Sequence, residues 1–357
     1  MSRYASLLPG DPLPWFRQRC APAGADYAIE TAAGRHLVLF AFASGAAPAV
    51  AVALDAVHAR SDLLDGRRAG FFAVSADPAD AARLPESRPV LRCFLDADGA
   101  VGRILGARCL DGIGAPRDLW LVLDPFLRVR AVALDAPGMA AEVLGFLERE
   151  LAAAETADGT APVLLLPGVF EPEFCARLLE HYARDGGRPS AVFTAAADGG
   201  TRAVLDPAAK RRRDCDLRDP ALRAQVQARI VRRVVPEIRK AFQFDATEME
   251  RLILSEYSAA DRGHFGAHRD NTVSATAHRR FAVSINLNDD FDGGELVFPE
   301  FGARRYRPPA GGALVFSCSL LHAVTPVTAG RRVACLPFVH DAAAAALKRA
   351  AAIAAAG

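Results

Sequence analysis

Apolar residues fall along this chain in two rhythms. In the first 150 residues they come as short unbroken runs, His36-Leu-Val-Leu-Phe-Ala-Phe42, Gly70-Phe-Phe-Ala-Val-Ser-Ala-Asp77 and Leu119-Trp-Leu-Val-Leu-Asp124, with Phe94-Leu-Asp-Ala-Asp-Gly99 between the last two. Runs of this length predict strands covered on both faces, and their alternation with helical segments predicts an α/β layer around a largely buried sheet. Beyond residue 160 the pattern changes. Glu171 to Arg184 and Pro220 to Phe242 carry apolar residues at helical spacing, whereas Arg280-Phe-Ala-Val-Ser-Ile-Asn-Leu-Asn288 and Ala313-Leu-Val-Phe-Ser-Cys-Ser-Leu-Leu321 read as strands, the second launched by the turn signal Pro308-Pro-Ala-Gly-Gly312. Between the two rhythms lies an Ala- and Glu-rich helix end from Glu148, and then the breaker Asp158-Gly-Thr-Ala-Pro162. The expected organisation is an N-terminal domain over residues 1–155, a second over 160–341, and an Ala-rich closing helix, frayed at its end, over 342–357.

At 357 residues the chain is long enough for two hydrophobic cores. Its 43 basic and 42 acidic residues leave a formal net charge of +1, so no global field argues for a nucleic-acid or anionic-membrane partner. Lys210-Arg-Arg-Arg213 is the one dense basic cluster. Because Asp214, Asp216, Arg218 and Asp219 follow at once, it reads first as a solvated loop of mixed charge, and second as a basic rim facing a substrate. No stretch is long and apolar enough to span a bilayer, and Met1 to Pro9 lacks a basic-then-apolar signal, so the expected compartment is the cytoplasm. Seven cysteines without a Cys-x-x-Cys suit reduced thiols there.

The candidate chemistry lies in three residues. His268 and Asp270 stand two positions apart; on an extended strand they share a face about 7 Å apart and can grip one ion from one side. His322, on or just past the later strand, can supply a third ligand. Two histidines and one carboxylate on one triangular face leave the remaining positions of an octahedron open, the arrangement of non-haem Fe(II) oxygenases.

Tyr257, Gly263, Phe265, His268 and Asp270 in order, then Asp292-Gly-Gly-Glu-Leu296, Leu321-His322 and Gly330-Arg-Arg332, resemble the prolyl-4-hydroxylase-like branch of the Fe(II)/2-oxoglutarate dioxygenases, and the resemblance can be followed from about residue 160 to 340. It implies a double-stranded β-helix (jelly roll) with buttressing helices, with iron on His268, Asp270 and His322. It further implies 2-oxoglutarate and O2 as co-substrates, ascorbate as a candidate reductant, and hydroxylation with release of succinate and CO2. A basic residue about ten positions beyond the distal histidine would hold the far carboxylate of 2-oxoglutarate, and Arg332 stands there; a planar guanidinium suits that task better than a Lys. On a strand Arg331 would face the opposite way. Tyr257 matches a family tyrosine whose hydroxyl touches the co-substrate. Gly293 and Gly294 read as backbone devices allowing positive φ or a bulge. The chain departs from the family at Asn286, where an aromatic residue is common, and at Leu296, where many have Thr; this argues against peptidyl proline as substrate. A peptide side chain, a free amino acid or a small metabolite remain open. Retention of Asp270 argues for hydroxylation rather than halogenation, and an iron or 2-oxoglutarate sensor without turnover is the alternative from another class.

The order of elements over residues 5 to 150 resembles the peroxiredoxin or thioredoxin-like fold. In that family the reactive thiol opens the helix after the 36–42 run; here Val50 takes the place. The implied role is a redox-inactive domain for interaction, homodimerisation or substrate presentation.

Overall fold

The computed structural model describes residues 4–21, 25–83, 91–154, 159–196 and 200–354. Residues 155–158 of the expected linker, 355–357 of the expected tail and the first three residues lie outside the described residues. The chain divides into two units, Met1–Gly159 with Pro299–Gly302, and Thr160–Phe298 with Ala303–Gly357.

In the first unit seven strands form one sheet, in the spatial order Ala25–Ala28, Arg17–Ala21, Leu91–Leu95, Ala69–Ser75, His36–Phe42, Leu119–Leu123 and Val129–Leu134. The central pairings, 36–42 with 69–75 and 69–75 with 91–95, are parallel, and the flanking ones are antiparallel. Every residue of His36–Phe42, Ala69–Ser75 and Leu119–Leu123 is buried, which is what the unbroken apolar runs require. The helices Pro48–Ala59 and Met139–Ala154 lay Val50, Leu54, Val57, Leu144 and Leu147 on this sheet in one core with Phe40, Phe71 and Trp120. Val50 is wholly buried in the first turn of its helix. The three cysteines of this unit are buried as well, and burial pushes the Cys93 thiol up to about 12.

The second unit carries two larger sheets and a small hairpin. One sheet runs Glu248–Glu250, Phe338–His340, Phe281–Asn286, Val327–Cys335, Ile253–Ser258, Arg213–Asp216, Arg188–Pro189, with Ala313–Ser317 also paired to 281–286. The other runs Lys210–Arg211, His264–His268, His322–Val324, Leu296–Val297, Arg305–Tyr306. Alternation along the first sheet decides what faces where. Val283, Ile285, Val315, Val333 and Cys335 point to the helices and share a core with Leu178, Val226, Ile230 and Ile238, each such burial contributing about 1.5–3 kcal/mol. Ser284, Asn286, Tyr257 and Arg332 point to the other side.

Those helices begin and end where the sequence chemistry allows. Pro172–Asp185 opens on a proline and closes at Gly186, whose φ of 75° is the left-handed cap conformation. Pro220–Arg233 is capped by Asp219, whose carboxylate accepts from the amides of Ala221 and Leu222 at 2.8 and 3.0 Å. The single helical stretch expected from Pro220 to Phe242 is two helices, Pro220–Arg233 and Val235–Phe242: Pro236, with no N–H to give, opens the second one. The expected strand 313–321 ends at Ser317 and turns before His322. Among the described residues no helix is long and apolar enough to cross a membrane.

Candidate metal centre

His268 ends the strand His264–His268, and His322 begins the strand His322–Val324; the two are register partners across an antiparallel pair, with ring centroids 4.2 Å apart. Asp270 follows His268 in a turn whose amide donates to the Cys318 carbonyl at 3.0 Å. Its two carboxylate oxygens stand 3.5 Å from the Nε2 atoms of His268 and His322. One ligand atom from each residue lies within 4.8 Å of the other two, the only such group among the described residues.

The histidines are oriented for this. Nδ1 of His268 meets the Gly266 carbonyl at 2.9 Å and Nδ1 of His322 meets the Leu320 carbonyl at 3.0 Å. A carbonyl only accepts, so each Nδ1 donates, and in the neutral ring this leaves Nε2, on the Asp270 side, as the lone-pair atom. Phe265 stacks on His268 and Phe316 packs beside His322. Burial, followed by the neighbouring His268, pushes His322 down to about 4. Burial alone would raise Asp270, but the facing histidines hold its carboxyl well below the usual carboxylate range. Neutral imidazole nitrogen and ionised carboxylate are the donor states a divalent cation requires. The set fits iron(II), zinc(II) and their neighbours by donor type, and three ligands leave positions open.

The triad opens into a cavity whose far wall holds Tyr257 and Arg332. Arg332 is 1% exposed and faces Tyr257 across the strand pair. Its guanidinium donates to Asn286 Oδ1 at 3.0 Å and to Ser284 Oγ at 2.8 Å, both neutral, and among the described residues no carboxylate pairs with it. Asn286 is itself fixed by donating to the Pro308 carbonyl at 2.7 Å. Gly294 makes room for this arginine: its φ is +67°, and a Cβ there would stand 3.2 Å from Arg332 Cδ. Gly293, also at positive φ, sits at a bulge in the pairing with Val327–Cys335. Arg331, next in the chain, points outward to Glu256 at 3.3 Å.

The basic cluster departs from its first reading. Lys210 and Arg212 are 6% and 9% exposed, not solvated, because the segment is extended and alternate residues turn inward. Arg212 forms a forked pair with Asp214, Nε to Oδ1 at 2.7 Å and Nη2 to Oδ2 at 2.8 Å, and its Nη1 donates to the Tyr257 hydroxyl at 3.3 Å. Arg251 joins Asp214 from the other side at 3.1 Å. Arg212 and Arg251 both line the cavity of the triad, and Arg212 also borders a neighbouring cavity of ≈ 340 Å³ together with Lys210, Arg211 and Arg213. Arg251 was missed as a site residue, and Arg212 was foreseen only as part of a basic rim, the second reading of its cluster. The signal was present in Lys210-x-Arg212-x-Asp214, a period of two that places three charges on one face.

Residues 252–340 match the family model of the 2OG-Fe(II) oxygenase superfamily. The similarity to that superfamily lies in this stretch, 89 of the chain's 357 residues. Iron(II) and 2-oxoglutarate are the partners that the superfamily name itself implies for the triad and its cavity. A PKHD-type hydroxylase of Nitrosomonas europaea is 34% identical over 115 residues, covering 29% of this chain and 50% of that protein. The chain thus spans about half the length of this curated relative. Among solved structures, a Pseudomonas putida prolyl-4-hydroxylase covers 53% of this chain and 98% of its own at 16% identity and a TM-score of 0.39. A peroxidoxin, BcpB, of Mycobacterium tuberculosis covers 40% of this chain and 98% of its own at 21% identity and a TM-score of 0.36.

Proposed function

We propose that the protein is an Fe(II)- and 2-oxoglutarate-dependent hydroxylase, and that its second unit is a double-stranded β-helix with buttressing helices. The observation that carries this reading is a pairing within one cavity: an open two-histidine, one-carboxylate triad, and a buried guanidinium that among the described residues pairs with no carboxylate. A buried cation left unpaired is costly, and it is kept where an anion arrives to complete it.

His268, Asp270 and His322 would hold the metal. Arg332, set by Ser284 and Asn286, would take the far carboxylate of 2-oxoglutarate through two charge-assisted bonds, with the Tyr257 hydroxyl beside it. When bound, the iron supplies the oxygen chemistry: one atom of O2 enters the substrate as a hydroxyl, the other enters succinate as 2-oxoglutarate loses CO2. The protein's share is to hold co-substrate and substrate in register and to exclude water. Ascorbate would serve as reductant after uncoupled cycles. The N-terminal unit, with Val50 in place of a thiol, is assigned a binding role, as a docking or homodimerisation module for a peptide or small-molecule hydroxylase.

The test is turnover. Purified protein with Fe(II), 2-oxoglutarate and O2 is expected to release succinate slowly without substrate and faster with it, with a gain of one oxygen in the substrate by mass spectrometry. A protein that binds 2-oxoglutarate but never consumes it is a sensor, and the hydroxylase reading falls.

A further inference from the structure

The cavity wall holds more positive charge than the triad and its co-substrate use. With a divalent metal, ionised Asp270, two neutral histidines, dianionic 2-oxoglutarate and Arg332, the charges balance. Arg212 and Arg251 stand outside that balance. They share a single carboxylate, Asp214, which also receives the Ser255 hydroxyl at 2.7 Å, so the trio keeps one net positive charge against the cavity.

Both guanidiniums are held with donors to spare. Arg212 has Nε and Nη2 committed to Asp214, with Nη2 also reaching the Ser190 hydroxyl at 3.3 Å, and one Nη1 proton on Tyr257; among the described residues the other Nη1 proton meets no acceptor. Arg251 gives only Nη2 to Asp214, and among the described residues its Nε and Nη1 meet no acceptor. Arg251 is also one of four non-glycine residues at positive φ among the described residues, +57°, a conformation that such side chains adopt at a cost. Lys210 registers the same surplus: burial first, and then Arg212, push its ammonium down to about 6.

We propose that the primary substrate carries a carboxylate, received by the Arg212–Arg251 pair that Asp214 holds at the wall of the triad's cavity. The remaining Nη1 proton of Arg212 and the Nε and Nη1 of Arg251 can be shared by the two oxygens of a planar acceptor, and one surplus charge matches a carboxylate rather than a doubly charged phosphate. This inference rests on the reading of the site as a 2-oxoglutarate-dependent centre.

The experiment uses the full chain loaded with zinc(II) and saturating 2-oxoglutarate, so that the first carboxylate site is filled and no turnover intervenes. Calorimetric titration is made with N-acetylglycine, N-acetyl-L-glutamate, the neutral N-acetylglycine methylamide and methyl phosphate. The carboxylates are expected to bind at least tenfold more tightly than the amide and the phosphate. Arg251→Gln is expected to abolish that preference, and Arg251→Lys, which keeps the charge but not the fork, to retain part of it. Equal binding of acid and amide, preference for the phosphate, absence of carboxylate binding, or an unchanged preference in Arg251→Gln overturns the proposal. So does loss of 2-oxoglutarate binding in Arg251→Gln with its melting temperature unchanged, since the pair would then belong to the co-substrate. Failure of wild-type protein to bind 2-oxoglutarate at all is a different result, and it sinks the underlying reading.

Discussion

One buried charge in each unit, Asp80 and Arg332, is answered in the opposite way. In the first, Asp80 is wholly buried and fully answered: its carboxylate accepts from the Ser75 hydroxyl, the Gly45 amide at 2.7 Å and the Arg83 guanidinium at 2.9 Å. Asp96 likewise accepts the amides of Val101 and Gly102 at 2.8 and 2.7 Å. In the second unit Arg332 is just as buried, yet it touches only neutral oxygens, and three metal-ligating side chains crowd one point. A satisfied buried charge ties a fold together. An unsatisfied one marks where a ligand is due.

The sharpest way to break this contrast is at the triad. His268→Ala or Asp270→Ala should leave two ligands, and iron bound after gel filtration should fall by more than the ~10–100-fold that loss of an outer partner costs. Retention of stoichiometric iron in either variant would place the metal elsewhere. Next is the clamp. Arg332→Ala removes charge-assisted bonds worth about 2–4 kcal/mol, so 2-oxoglutarate affinity should weaken by ~30–1000-fold while iron still binds; Arg331→Ala, on the solvent side, should change neither. Equal effects of the two would mean that burial does not decide the role.

In the first unit the expectation reverses. Asp80→Ala should cost about 1–3 kcal/mol of stability by stranding the buried Ser75 hydroxyl and the Gly45 amide, seen in urea denaturation, with 2-oxoglutarate affinity unaltered. At Lys210 the effect is a slope with pH rather than a fixed loss. Its folded pKa of about 6 lies below the unfolded value, so between about pH 6 and pH 10.5 the unfolded chain holds the extra proton and stability rises with pH, by at most about 1.4 kcal/mol per unit. Lys210→Met should flatten that slope and gain most stability near pH 6. An unchanged slope would show that another group sets it.

Much of this was legible in the sequence, for local reasons. Fully apolar runs such as His36–Phe42 have one stable fate, a strand covered on both sides. The His268-x-Asp270 spacing and His322 carry their chemistry in residue type, and period-two alternation separates Arg332 from Arg331. What stayed hidden depended on distant partners. Lys210 to Arg213 looks like a solvated run until Asp214 and Ser255 are seen to receive the inward-facing Arg212 and its neighbour Arg251. Asn286 reads as a departure from a family pattern, and only its bond to Arg332 gives it a task. The break at Val234 was written in Pro236, but helical periodicity runs through it unmarked.

Anaerobic titration of the full chain with Fe(II) and then 2-oxoglutarate tests the central claim most directly. One equivalent of each should develop a weak visible charge-transfer band, absent in His268→Ala and requiring far more 2-oxoglutarate in Arg332→Ala. A wild-type protein that binds iron without the band at any 2-oxoglutarate concentration, or a band that survives loss of His268, would contradict the account.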